Sequence, residues 1–144
     1  MYTKINEKDS AMKLGAIYSK EKTTFTLFSP VADSVFVIFY DKGNDSAETG
    51  RLEMVRGEGE LRSIFSATAE GNLNGVYYTY EVHTPDGTFS SHDPYARACG
   101  VNGHRSMVID LSKTDPDGFA DEDRPKLADP MSMVITEVSI ADVS

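Results

Sequence analysis

Tryptophan is missing from the 144 residues, cysteine occurs once, and no apolar run reaches the roughly 18 residues of a membrane span. Without tryptophan the chain lacks the side chain with the broadest aromatic face for stacking. The single Cys99 excludes an intramolecular disulfide, so packing must stabilise the fold, as suits a reducing compartment. The short apolar runs exclude a transmembrane helix. Glu7 and Asp9 interrupt the opening segment where a secretory leader needs an unbroken apolar stretch, so the expected location is the cytoplasm. Positive charge is also scarce. Lys and Arg number 14 against 23 Asp and Glu, a formal net charge of -9. Such a surface repels phosphate backbones and anionic lipid, which excludes nucleic acid and membrane surfaces and leaves a neutral ligand or a protein as partner.

What the chain does have is a 40% hydrophobic fraction, 10% aromatics and length for one domain and a tail. Strand signals dominate. Thr23 to Phe28 alternates polar and apolar residues until Ser29-Pro30 stops it. Ser34 to Tyr40 is apolar at both parities, predicting a central strand covered on both faces. Weaker strands are predicted at Arg51 to Val55 and Ser63 to Ala67. In Val76 to His83, Tyr78, Tyr80 and Val82 share one face and Tyr77, Thr79, Glu81 and His83 the other. Pro85-Asp86-Gly87 turns toward Thr88-Phe89, and Ser106 to Leu111 supplies a further strand. About seven short strands separated by turns predict an all-β, immunoglobulin-like antiparallel β-sandwich. Ser112 to Asp129 is rich in Asp, Pro and Gly and reads as a linker. Beyond it Met133 to Ile140 reads as an orphan strand, which suggests that a neighbouring part has been cut away.

Several motifs match the residues Leu14 to Tyr18, Thr24-Phe25, Ser29 to Ala32, Leu73 to Tyr80, Asp93-Pro94-Tyr95-Ala96 and Gly100 to Val108. In these the chain resembles carbohydrate-binding module family 48, the isoamylase N-terminal-like, early-set immunoglobulin-like module that precedes the barrel in type I pullulanases of glycoside hydrolase family 13. Phe28 stands where that family usually has tryptophan. Asp115 to Phe119 and Arg124-Pro125 continue the resemblance, and the last segment resembles the first barrel strand, with Thr136, Ser139 and Ala141 replacing the family's tyrosine, histidine and arginine. The implied layout is an N-terminal extension at 1–12, the module at 13–112, an acidic linker at 113–131, and a segment resembling the first barrel strand at 132–144.

The resemblance implies no catalysis by this chain, because the paired carboxylates of such glycosidases lie on later barrel strands. Asp121-Glu122-Asp123 reads as solvated linker. His83, His92 and His104 lack metal-motif spacing, and Asp115 to Gly118 lacks the glycine position and final glutamate of a calcium loop. No metal and no cofactor is expected. Family members that bind glycogen use two tryptophans and a lysine. Alignment puts Phe89 at one tryptophan and Thr79 at the lysine, with Tyr77 nearby and nothing aromatic near Asn44. The candidate glucan residues are therefore Phe89, Thr79 and Tyr77, and the alternative is that Phe89 covers a sandwich edge while the tyrosines are ordinary strand residues. Asp93, Pro94, Tyr95, Asn102 and Gly103 are the candidate docking residues, where an apolar patch is expected. The expected role is a non-catalytic docking or starch- and glycogen-binding module of an α-1,6-debranching enzyme. The other reading is a free-standing α-glucan-binding or regulatory protein. The partner is α-glucan or the barrel, and the terminal strand offers self-association.

Overall fold

The computed structural model describes residues 13–123 and 126–143. The expected N-terminal extension and the Arg124-Pro125 motif lie outside them. Two units are distinguished, one ending at Lys113 and the other beginning at Thr114.

The first unit is a two-layer antiparallel sandwich with nine strands among the described residues. One sheet orders β1 (Gly15–Tyr18), β2 (Lys22–Phe28), β6 (Ile64–Glu70) and β5 (Val55–Arg56) as β1-β2-β6-β5. The other orders β4 (Glu48–Glu53), β3 (Ser34–Tyr40), β7 (Tyr77–Thr84) and β8 (Gly87–Ser91) as β4-β3-β7-β8, with β9 (Ser106–Met107) also on β7. Alternation decides which residues face inward. Phe25 and Leu27 of β2, Val35 and Val37 of β3, and Tyr78 and Tyr80 of β7 meet Phe65 and Val108 in the core. Phe25 lies edge-on to Tyr78 at 5.0 Å and to Phe39 at 5.7 Å, the offset geometry that aromatic quadrupoles favour. Each such side chain contributes about 1.5–3 kcal/mol on burial. The central strand β3 also hides Ile38 on its second face, at 3% exposure.

Three expectations need correction. The strand expected from Ser106 to Leu111 ends at Met107 and is followed by a 3-10 turn at Leu111–Lys113. The strand drawn from Arg51 to Val55 is two strands in different sheets. β4 pairs with β3, β5 pairs with β6, and Met54 between them is buried with its N–H bonded to the Val35 carbonyl at 2.8 Å. Tertiary packing of Met54 overrides the local pattern. The orphan strand at Met133 to Ile140 is not formed. In the second unit the described residues contain 3-10 turns at Phe119–Asp121 and Pro130–Ser132 and a short helix, α1 (Ile140–Val143), but no strand to supply a ladder. Val134 is 94% exposed, and its apolar neighbours Ile135 and Ile140 are also exposed. Self-association through a terminal strand therefore lacks its strand. No helix among the described residues is long and apolar enough to cross a membrane.

Candidate functional site

The turn after β3 and the loop before β9 enclose an open crevice of about 440 Å³, lined by Asn44, Asp45, Val101, Asn102, His104 and Arg105. Two glycines let these loops meet. A Cβ on Gly100 would lie 2.5 Å from the Gly43 Cα, and one on Gly43 would lie 2.8 Å from the Gly100 Cα and 3.1 Å from Tyr77 Cε1. Only two backbones without side chains can approach this closely. Arg105 then ties the loops together. Its Nη1 donates to the Lys42 carbonyl and to Ser46 Oγ, both at 2.8 Å, and its Nη2 donates to the Ser46 carbonyl at 2.9 Å. The guanidinium sits 3.6 Å above the Tyr40 ring centroid, and a planar cation stacks well on such a face. The Tyr40 hydroxyl lies 3.2 Å from Thr79 Oγ1. Asp45 and Asn102, both lining the crevice, hold φ of 46° and 53°, the left-handed region that Asp and Asn tolerate best among side-chain-bearing residues. The Asn44 amide donates to Asp45 Oδ2 at 2.9 Å. The crevice thus offers amide, carboxylate and imidazole groups on loops that are fixed before any ligand arrives.

A second polar cluster is sealed inside. Asp93 is 2% exposed. Its Oδ2 accepts from the hydroxyls of Tyr78 at 2.7 Å and Tyr80 at 3.2 Å, its Oδ1 accepts from the Tyr95 N–H at 2.8 Å, and its own N–H donates to Ser106 Oγ at 2.8 Å. Burial first, and then the neighbouring carboxylate, push both phenols well above the ordinary tyrosine value. These groups therefore hold protons rather than transfer them. They fix the bend at Pro94. On the open face of the second sheet, Arg51 grips Glu48 at 2.9 Å and reaches Glu81 at 3.5 Å, while His83 lies 2.9 Å from Glu81 and 3.2 Å from Thr88. The hydrogen bond from Arg51 lowers the Glu48 carboxyl below its usual value. These exposed pairs anchor the face weakly.

The expected glucan residues are separated. Cross-strand partners share a face, and Phe89 is opposite Val82, which packs against the core, whereas Thr79 and Tyr77 are one parity away on the outer face. Phe89 is 54% exposed on the edge strand. Thr79 is 5% exposed and orients Tyr40, and Tyr77 borders Gly43, so these two form the floor on which the crevice loops rest. The expected docking residues also divide. Asn102 lines the crevice, and Gly103 follows it at φ 72°. Asp93 is buried, Pro94 is exposed, and Tyr95, 51% exposed, packs its Cβ so closely over Gly15 that a Cβ there would approach to 2.8 Å. Asp45, His104 and Arg105 were missed: the bonds of Arg105 span about 60 residues of sequence, and it is this long-range tie that brings the loops carrying Asp45 and His104 together. Glycines at 43 and 100 were the available sign.

The family model for carbohydrate-binding module 48, described as the isoamylase N-terminal domain, matches residues 13–96. The chain belongs to this family. Pullulanase A of Streptococcus pneumoniae serotype 4 is 31% identical over 116 residues, which cover 76% of this chain and 9% of that protein. The pullulanase of Bacillus subtilis strain 168 is 28% identical over 133 residues, 92% of this chain and 17% of that one. Among solved structures, a Paenibacillus barengoltzii pullulanase in complex with maltohexaose and α-cyclodextrin superposes with a TM-score of 0.74 at 34% identity, over 82% of this chain and 18% of that one. The module 48 chain thus spans less than a fifth of each of these relatives, and the region it matches is their non-catalytic accessory domain.

Proposed function

We propose that this module serves a pullulanase-type α-1,6-glucan debranching enzyme by holding a neutral α-glucan chain weakly at the crevice between the turn after β3 and the loop before β9. The observation that carries this reading is the pre-organised crevice itself, polar and fixed by Arg105 and the Gly43–Gly100 contact. Sugar hydroxyls need convergent amide, carboxylate and imidazole groups, which Asn44, Asp45, Asn102 and His104 offer. Tyr77 and Thr79 contribute from beneath. A chain with net charge -9 favours such a neutral ligand over an anionic one. Without tryptophan, affinity rests on hydrogen bonds that replace water, so dissociation constants near the millimolar end are expected.

The test is titration with maltoheptaose, followed by amide chemical shifts. Shifts should cluster at residues 44–46 and 101–105, Arg105→Ala should abolish them, and Phe89→Ala should leave them in place. Loss on Phe89→Ala alone would move the site to the β8 edge.

Docking to the remainder of a longer enzyme is the second reading. It is supported by exposed Tyr95, held over Gly15, and by the exposed apolar residues Met133, Val134, Ile135, Val138 and Ile140, which a larger protein would cover. On this reading Asp93 and Pro94 present Tyr95, and residues 132–144 become a strand only on meeting a sheet. Joining the module to the remainder of such an enzyme should protect Tyr95 and Ile135 from solvent, measured by hydroxyl-radical footprinting. Unchanged labelling refutes docking.

A further inference from the structure

Each sheet of the sandwich ends in two edge strands, and the unpaired groups of an edge recruit other strands unless something blocks them. Three edges are blocked. β5 is two residues long. β4 carries Glu48, Arg51 and Glu53 and a register shift against β3 between Phe39 and Tyr40. β1 is four residues long, with Arg97, Ile109 and Leu111 standing along it. β8 has none of these devices. Its five residues, Gly87-Thr88-Phe89-Ser90-Ser91, are exposed, uncharged, free of proline and in unbroken register with β7.

We propose that the β8 edge pairs antiparallel with the β8 edge of a second copy of this chain, about a two-fold axis through Phe89. The register follows from the hairpin. Thr84 and Gly87 close a two-residue turn and so form a hydrogen-bonded pair, which makes Val82 and Phe89 the next such pair and leaves the N–H and C=O of Thr88 and Ser90 pointing away from β7. Thr88 of one copy then faces Ser90 of the other and exchanges both backbone bonds with it. Phe89 faces its own symmetry mate in the closer, non-hydrogen-bonded position, where Cα atoms are about 4.5 Å apart. The flanks match as well. One residue beyond each end, the Asp86 carboxylate of one copy lies opposite the His92 imidazole of the other. Two copies with a net charge of -9 each repel one another, and this uncharged strand adds nothing to that repulsion. The two outer sheets join into one continuous sheet, and the two phenylalanines, each 54% exposed in a single copy, cover one another.

The test is sedimentation of the 144-residue chain at concentrations up to about 1 mM, the weak end of specific association. The expected result is a mass that rises from monomer toward dimer. Thr88→Lys with Ser90→Lys, and Thr88→Glu with Ser90→Glu, should each remain monomeric, while an equimolar mixture of the two should dimerise because lysines then face glutamates. The mixture also shows that both variants are folded. Val134→Asp with Ile135→Asp should dimerise like the parent. A parent that is monomeric throughout overturns the proposal. So does a dimer that survives the lysine pair or disappears with the aspartate pair.

Discussion

Replacing Asp93 with alanine removes one acceptor shared by two buried phenols and a backbone amide. The 2.7 Å bond from Tyr78 is short and charge-assisted, a class worth about 1.5–3 kcal/mol, and the 3.2 Å bond from Tyr80 is worth about 1 kcal/mol. Neither phenol can reach water, because both tyrosines are fully buried; Tyr80 is left unsatisfied at a cost of about 1–3 kcal/mol, whereas Tyr78 loses its charge-assisted bond but keeps Ser106 within hydrogen-bond reach. The combined loss is about 3–6 kcal/mol, comparable with the whole stability of a small domain at about 5–15 kcal/mol. Tyr78→Phe should cost about 1.5–3 kcal/mol and Tyr80→Phe about 1 kcal/mol. Asp93→Asn keeps the volume but has one acceptor oxygen for two sites, so it should fall between Tyr78→Phe and alanine. Urea unfolding followed by far-ultraviolet circular dichroism measures each value. Tyr78→Phe should cost almost nothing when Asp93 is already alanine, since the bond is then absent. A full cost for Tyr78→Phe in that background, or an alanine variant within about 1 kcal/mol of the parent, would refute the staple.

Tyr78 and Tyr80 also set the alkaline limit. Their folded values are raised above the unfolded one, so their contribution is complete below about pH 10 and is lost as pH rises further, at about 1.4 kcal/mol per unit for each tyrosine. Urea midpoints between about pH 9 and 11 should therefore fall, and Tyr78→Phe should reduce the slope by about half; a flat profile refutes this. Thr23 Oγ1 is buried with no hydrogen-bond partner among the described residues, so Thr23→Val should be neutral or raise stability by about 1 kcal/mol by thermal melting. Gly100→Ala drives a methyl group into the Gly43 backbone and should cost about 1–3 kcal/mol while abolishing maltoheptaose shifts in the crevice. Retention of both stability and shifts would show that the loops are not held by this contact.

The strands that form the sandwich were legible because two-residue periodicity is local. The expected sharing of a face by Tyr78, Tyr80 and Val82 is what places them against Phe25 and Val35. The break at Met54 was not legible, since a strand that changes sheets looks like an uninterrupted strand until its partners are known. Alternation also held information about Phe89. Its pairing with Val82 puts it on the opposite face from Thr79, but sequence similarity ranks positions without specifying which face a hairpin gives them. The crevice was hidden for a related reason. Arg105 earns its position from Lys42 and Ser46, which lie 63 and 59 residues away, and no local pattern encodes such a meeting. The apolar run at Met133 to Ile140 has strand-like composition, but a strand also requires a partner for its backbone.

The passage of one continuous segment from β4 through Met54 to β5 means that the two layers share a covalent strap across the core. Neither sheet can detach while the other stays intact, because releasing β5 from β6 pulls on the residue whose amide is bonded to Val35 at the centre of the opposite sheet. Local opening that would let solvent in from one side is thereby tied to loss of the whole. In native-state hydrogen exchange, the Met54 amide should exchange only through global unfolding, with the same dependence on urea as the chain's overall transition.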